Sequence, residues 1–106
     1  MKISKEKIER IKEEILAILY KNSLKSMFTS DIASELIRDE EFTKALLLDL
    51  EKQKMVISVK KNSEGINYSR RIRWRLSSKV LEAYQTIENR KLHYDEANHT
   101  YEMQSL

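Results

Sequence analysis

The chain has 106 residues, 41% of them apolar and 35% charged, and a net charge of +3; this is room for one compact domain with a real core and an ionic surface. It has no Cys, no Pro and one Gly, which excludes disulfide scaffolds, zinc fingers, thiol nucleophiles, collagen-like repeats and Gly-rich phosphate loops. No apolar run approaches the ~20 residues that span a bilayer, and the Lys/Glu-rich start lacks the apolar stretch of an export signal, so a cytoplasmic chain with no membrane partner is expected.

Ser4 is a good N-cap, and Ile8, Ile11, Ile15, Ile18 and Leu19 form an apolar stripe. They predict a first helix over about 5–21, with Glu6, Arg10, Lys12, Glu13 and Lys21 on its other faces. Met27-Phe28 reads as a brief strand. Thr29 is the expected cap of a short second helix whose apolar face is Ile32, Ala33, Leu36 and Ile37. A third helix is predicted from Asp39 or Glu40 to about Gln53. Its buried stripe is Phe42, Leu46, Leu47 and Leu50, with Thr43, Lys44, Ala45, Leu48 and Lys52 pointing mostly away.

The period then changes from 3.6 to 2. Met55, Ile57 and Val59 alternate with Val56, Ser58 and Lys60 as a strand. Residues 62–67 hold the single Gly and read as a hairpin loop. In the return strand Ile72, Trp74 and Leu76 face inward and Arg71, Arg73 and Arg75 outward. Ser77-Ser78 offers another cap, and Val80, Leu81, Tyr84 and Ile87 give a fourth helix to about residue 91. Residues 92–106 read either as a small hairpin or as a tail, so the domain is drawn over 1–91.

The charge is unevenly spread. Residues 1–54 carry 11 basic and 11 acidic side chains, whereas residues 55–75 carry six basic and one acidic. A local cationic stripe of this kind is the footprint of a polyanion partner. The plainer alternative is an exposed strand face whose charges discourage edge pairing.

The order helix, short strand, helix, helix, strand, basic hairpin, helix resembles a winged helix-turn-helix domain. Thr29-Ser30-Asp31-Ile32-Ala33-Ser34-Glu35-Leu36 looks like the first helix of the helix-turn-helix pair. Residues 47–56 look like a recognition helix running into a wing strand. Arg70-Arg71-Ile72-Arg73-Trp74-Arg75-Leu76-Ser77 looks like the closing strand of the wing. The resemblance covers about residues 5–90. It implies an α+β, mainly α fold: a three-helix core, a β-hairpin wing and an additional C-terminal helix. It also implies double-stranded DNA as partner and transcription regulation as role, with the third helix in the major groove. Two departures stand out. Lys54 occupies the position where many relatives close the recognition helix with Gly, and the turn before that helix carries Asp39, Glu40 and Glu41.

On this reading the wing candidates for DNA are Lys60, Arg70, Arg71, Arg73 and Arg75. Alternate residues on a strand lie about 6–7 Å apart, near the phosphate repeat along one DNA strand, and Arg pairs bidentately with phosphate. The major-groove candidates are Thr43, Lys44, Leu48 and Lys52. The lysines suit phosphate or guanine, and Leu48 suits a thymine methyl, unless it packs in the core or a dimer contact. Val80, Leu81, Tyr84 and Ile87 either cover the sheet or form a homodimer contact. His93, Asp95, Glu96 and His99 match no ligand motif, so neither metal nor cofactor is expected. No arrangement of catalytic residues is evident, so an enzyme is not expected. The alternative function is a winged-helix protein-interaction module in a transcription or replication assembly, favoured by the acidic turn and an exposed Leu48.

Overall fold

The computed structural model describes residues 3–59 and 72–104, with side chains as far as residue 92. Seven elements follow in order: α1 (Lys5–Lys21), β1 (Met27–Phe28), α2 (Thr29–Leu36), α3 (Glu40–Lys52), β2 (Val56–Val59), β3 (Arg73–Leu76) and α4 (Ser78–Gln104). The three strands form an antiparallel sheet in the order β1-β3-β2. Lys60, Arg70, Arg71 and the expected hairpin loop at 62–67 lie outside the described residues.

The helix boundaries follow from their caps. The Ser4 hydroxyl accepts from the Lys7 amide at 3.2 Å and starts α1. The Asp39 carboxylate accepts from the Phe42 amide at 3.1 Å and starts α3. Glu40 and Glu41 fill the first turn of α3, where carboxylates suit the positive end of the helix dipole. The acidic turn is therefore a helix-start signal. At α4 the Ser77 hydroxyl accepts from the Val80 amide at 3.4 Å.

Two helix ends take left-handed backbone without Gly. Lys54 has φ 61°. Its amide donates to the Glu51 carbonyl at 2.9 Å, and the Met55 amide donates to the Leu50 carbonyl at 2.9 Å. This is the Schellman closure, in which a left-handed residue lets the chain satisfy the orphan carbonyls of the last turn. Ile37 has φ 56°, with the matching pair Ile37 to Ser34 at 3.2 Å and Arg38 to Ala33 at 3.0 Å. The expectation that Ile37 joins the buried face of α2 is overturned: it is 89% exposed. The left-handed turn redirects its side chain away from the stripe that Ile32 and Ala33 continue inward.

The core gathers Ile11, Ile15 and Leu19 of α1, Ile32 of α2, Leu46, Leu47 and Leu50 of α3, and Val56, Trp74 and Leu76 of the sheet. Trp74 is fully buried. It sits on the central strand, opposite Met27 on one side and Ser58 on the other. Its indole N–H donates to the Thr29 hydroxyl at 2.8 Å. Thr29 is thus spent on the core and does not cap α2, whose N-cap position falls on Phe28 with no side-chain bond.

Other sequence expectations shift for packing reasons. Of the alternating residues of β2, which the sequence left unassigned to a face, Val56 is the buried one: it stands opposite Leu76, and Ile57 stands opposite Arg75. Lys12, expected on an outer face of α1, is buried. Its ammonium lies 3.5 Å from the Asp49 carboxylate of α3 and 3.7 Å from Glu9, while its alkyl stem covers apolar surface. Residues 92–104 are neither hairpin nor irregular tail: α4 runs on through Gln104, which at 1.5 Å per residue makes it about 40 Å long.

Thr29→Val should destabilise the fold by about 1–3 kcal/mol, because it leaves a buried indole N–H unpaired; Thr29→Ser should restore most of the loss, read from urea denaturation midpoints. Ile37→Gly should instead raise stability by about 0.5–1 kcal/mol: it relieves the left-handed penalty on a branched side chain, less the extra entropy of Gly in the unfolded chain. The same titration checks it, and a lower midpoint contradicts the strain.

Candidate nucleic-acid interface

The outward surface of α3 is set by what the helix must bury. Thr43, Leu46, Leu47 and Leu50 are buried, the i, i+3, i+4, i+7 set of a single helical face. Lys44, Ala45, Leu48, Asp49 and Lys52 are exposed. Three of the four expected groove candidates, Lys44, Leu48 and Lys52, are therefore on the surface, with Leu48 41% exposed.

Thr43 is not among them. It is 0% exposed, and its hydroxyl donates to the Asp39 carbonyl one turn back at 2.8 Å. The buried arc of α3 is wider than a stripe through Phe42 alone suggests, and Thr43 supplies its N-terminal edge. The spacing 43, 46, 47, 50 was available in the sequence as the better stripe. Phe42 is half-buried instead, with the Arg38 guanidinium 5.9 Å from its ring centre.

The end of α3 is fastened to the sheet. The Glu51 carboxylate accepts from the Ser58 amide at 3.2 Å and from the Ser58 hydroxyl at 2.5 Å. This double contact fastens β2 to the last turn of α3.

Strand β3 splits its side chains as the alternation requires. Trp74 and Leu76 are buried, Arg73 is half-buried and Arg75 is exposed. Arg73 stands opposite Phe28 on one neighbour and Val59 on the other. Its guanidinium carbon sits 4.5 Å from the centre of the Phe28 ring, a cation–π stack that holds the group over the sheet's outer face. Phe28 also lines a cleft of about 170 Å³ together with Thr29, Ser30, Ile72, Glu40, Glu41 and Lys44. The N-terminal half of α3 and the cationic face of β3 consequently adjoin across Phe28. Two carboxylates share that cleft with Lys44.

On α4, Val80, Leu81 and Tyr84 pack against the core of their own chain. Tyr84 stacks on Tyr20 with ring centres 5.0 Å apart and planes 17° from parallel. The Tyr20 hydroxyl donates to the Glu88 carboxylate, and this bond raises the Tyr20 phenol above its usual range. Of the four expected dimer-contact residues Ile87 is mainly exposed, at 63%, and Leu92 beyond it is 56% exposed. The signal for Leu92 was present in the sequence as an apolar residue five positions after Ile87, but an expected helix end near 91 hid it.

Among the described residues no helix is long and apolar enough to cross a membrane. No family model and no curated protein matches the sequence. Solved structures do. The Staphylococcus aureus MepR–DNA complex is similar with a TM-score of 0.60 and 25% identity, over 95% of this chain and 84% of that one. MepR of S. aureus, a transcription regulator of the multidrug efflux pump MepA, is similar at 0.56 and 22% identity, over 91% and 78%. Lactococcus lactis ZitR, as its C30AH42A mutant, is similar at 0.58 and 19% identity, over 94% and 68%. The helix pair α2–α3, the antiparallel β2–β3 pair that follows it and the agreement with these structures over nearly the whole chain make this a winged helix-turn-helix domain.

Proposed function

We propose that the chain is a cytoplasmic DNA-binding transcriptional regulator that works by binding rather than by catalysis. Helix α3 enters the major groove with Lys44, Leu48 and Lys52 forward. The β2–β3 pair lies along the backbone or minor groove as the wing, led by Arg73 and Arg75, with Lys60, Arg70 and Arg71 assigned to the same element from sequence. The observation that carries this reading is the junction at Phe28, whose ring lies against Arg73 and which also lines the cleft containing Lys44. One docking surface thereby combines a groove-sized helix and a cationic strand. The similarity of the chain to MepR, solved bound to DNA and a transcription regulator, supports the same conclusion.

A homodimer suits this function, because two-fold symmetry doubles the contact with a palindromic site. We assign the contact to the part of α4 beyond Tyr84, where Ile87 and Leu92 are exposed, with Val80, Leu81 and Tyr84 fastening the start of the helix to the core of its own chain.

The presence of Glu40 and Glu41 beside Lys44 favours one rival, a protein-interaction role for the same surface. Fluorescence anisotropy with duplex DNA across a salt series separates the two. DNA binding should weaken linearly in log–log form, and Arg75→Ala, an exposed change, should make that slope shallower by about 0.9. Lys44→Ala should alter preference among sequences as well as affinity. Absence of salt-dependent binding, with a stable protein complex on size exclusion, would select the rival.

A further inference from the structure

Helix α3 contains no Arg, Asn or Gln, so of the side chains that pair bidentately with guanine or adenine in the major groove it holds only lysines. Its two short polar groups are also committed elsewhere. Thr43 is buried and bonded to the Asp39 carbonyl. Asp49 could accept from the amino group of cytosine, but its carboxylate lies 3.5 Å from the Lys12 ammonium, whose side chain is 8% exposed. Drawing Asp49 toward a base would strip that buried cation of one of its two carboxylates, which is costly.

What remains is a row one helical turn apart: Lys44, Leu48, Lys52. Residues four apart lie one above the other on a helix face. The lysines at both ends have the reach and charge for phosphates on either side of the groove. Leu48, between them and 41% exposed, presents an apolar surface where base edges lie. The C5-methyl of thymine is the apolar feature that the major groove offers.

We infer that Leu48 is a specificity-determining residue of α3 and that it reads thymine methyl groups. This inference rests on the DNA-binding reading and deepens it: the preferred sites are duplexes with thymine beneath Leu48, and discrimination at that base comes from methyl burial rather than from paired hydrogen bonds. Burial of one methyl-sized group is worth about fourfold in affinity.

The test uses the full chain and duplexes enriched by binding from a random pool, then remade with uracil in place of thymine. Uracil pairs identically and lacks the methyl. The wild-type chain should bind the uracil duplex about fourfold more weakly for each contacted methyl. Leu48→Ala should bind both duplexes equally with an unchanged salt slope, and Leu48→Met, which keeps an apolar surface, should retain the preference. Equal binding of both duplexes by the wild type, with salt dependence intact, overturns the thymine assignment and leaves DNA binding standing. Discrimination that persists in Leu48→Ala overturns the role of Leu48. Failure to bind any duplex at low salt overturns both readings.

Discussion

Trp74 is buried on the central strand of a three-stranded sheet, and most of the molecule is arranged around that fact. A large indole under three helices supplies much of the apolar burial available to a small domain. Its N–H needs a partner once water is excluded, and Thr29 meets the need from the first turn of α2. One side chain therefore ties the sheet to the helix pair. Because strand side chains alternate, burying Trp74 and Leu76 forces Arg73 and Arg75 to the opposite face. The cationic surface is the other side of the core.

The second constraint is how α3 is held. Asp39 sets its start, a left-handed Lys54 sets its end, and Glu51 binds β2 through Ser58. The Lys12–Asp49 pair adds a link from α1. An exposed ion pair would contribute little. Here the ammonium is nearly buried, so loss of its partner carries a desolvation cost and the pair fixes the helix's position more than its sequence propensity does. A helix that reads DNA must keep its register against the wing, and these contacts supply it without a glycine at the turn.

The electrostatics of the surface are mixed rather than uniformly positive. Glu40 and Glu41 serve the helix dipole, yet they also line the cleft beside Lys44. Part of the positive field is spent offsetting them. Arg73 is held on the Phe28 ring, so part of its side-chain freedom is already given up in the folded domain.

Periodicity and capping chemistry in the sequence determined the element order, the ends of α1 and α3 and the inward face of β3. These are local properties: a cap, a stripe or an alternation is complete within one or two turns of chain. Tertiary structure alone decided the fates of Thr29, Lys12 and Ile37. Each has a local preference that a distant partner or backbone requirement overrides: an indole 45 residues away for Thr29, a carboxylate on another helix for Lys12 and a left-handed turn for Ile37. Which of two faces a polar or branched residue takes depends on what lies opposite it after folding, and sequence spacing carries no record of that.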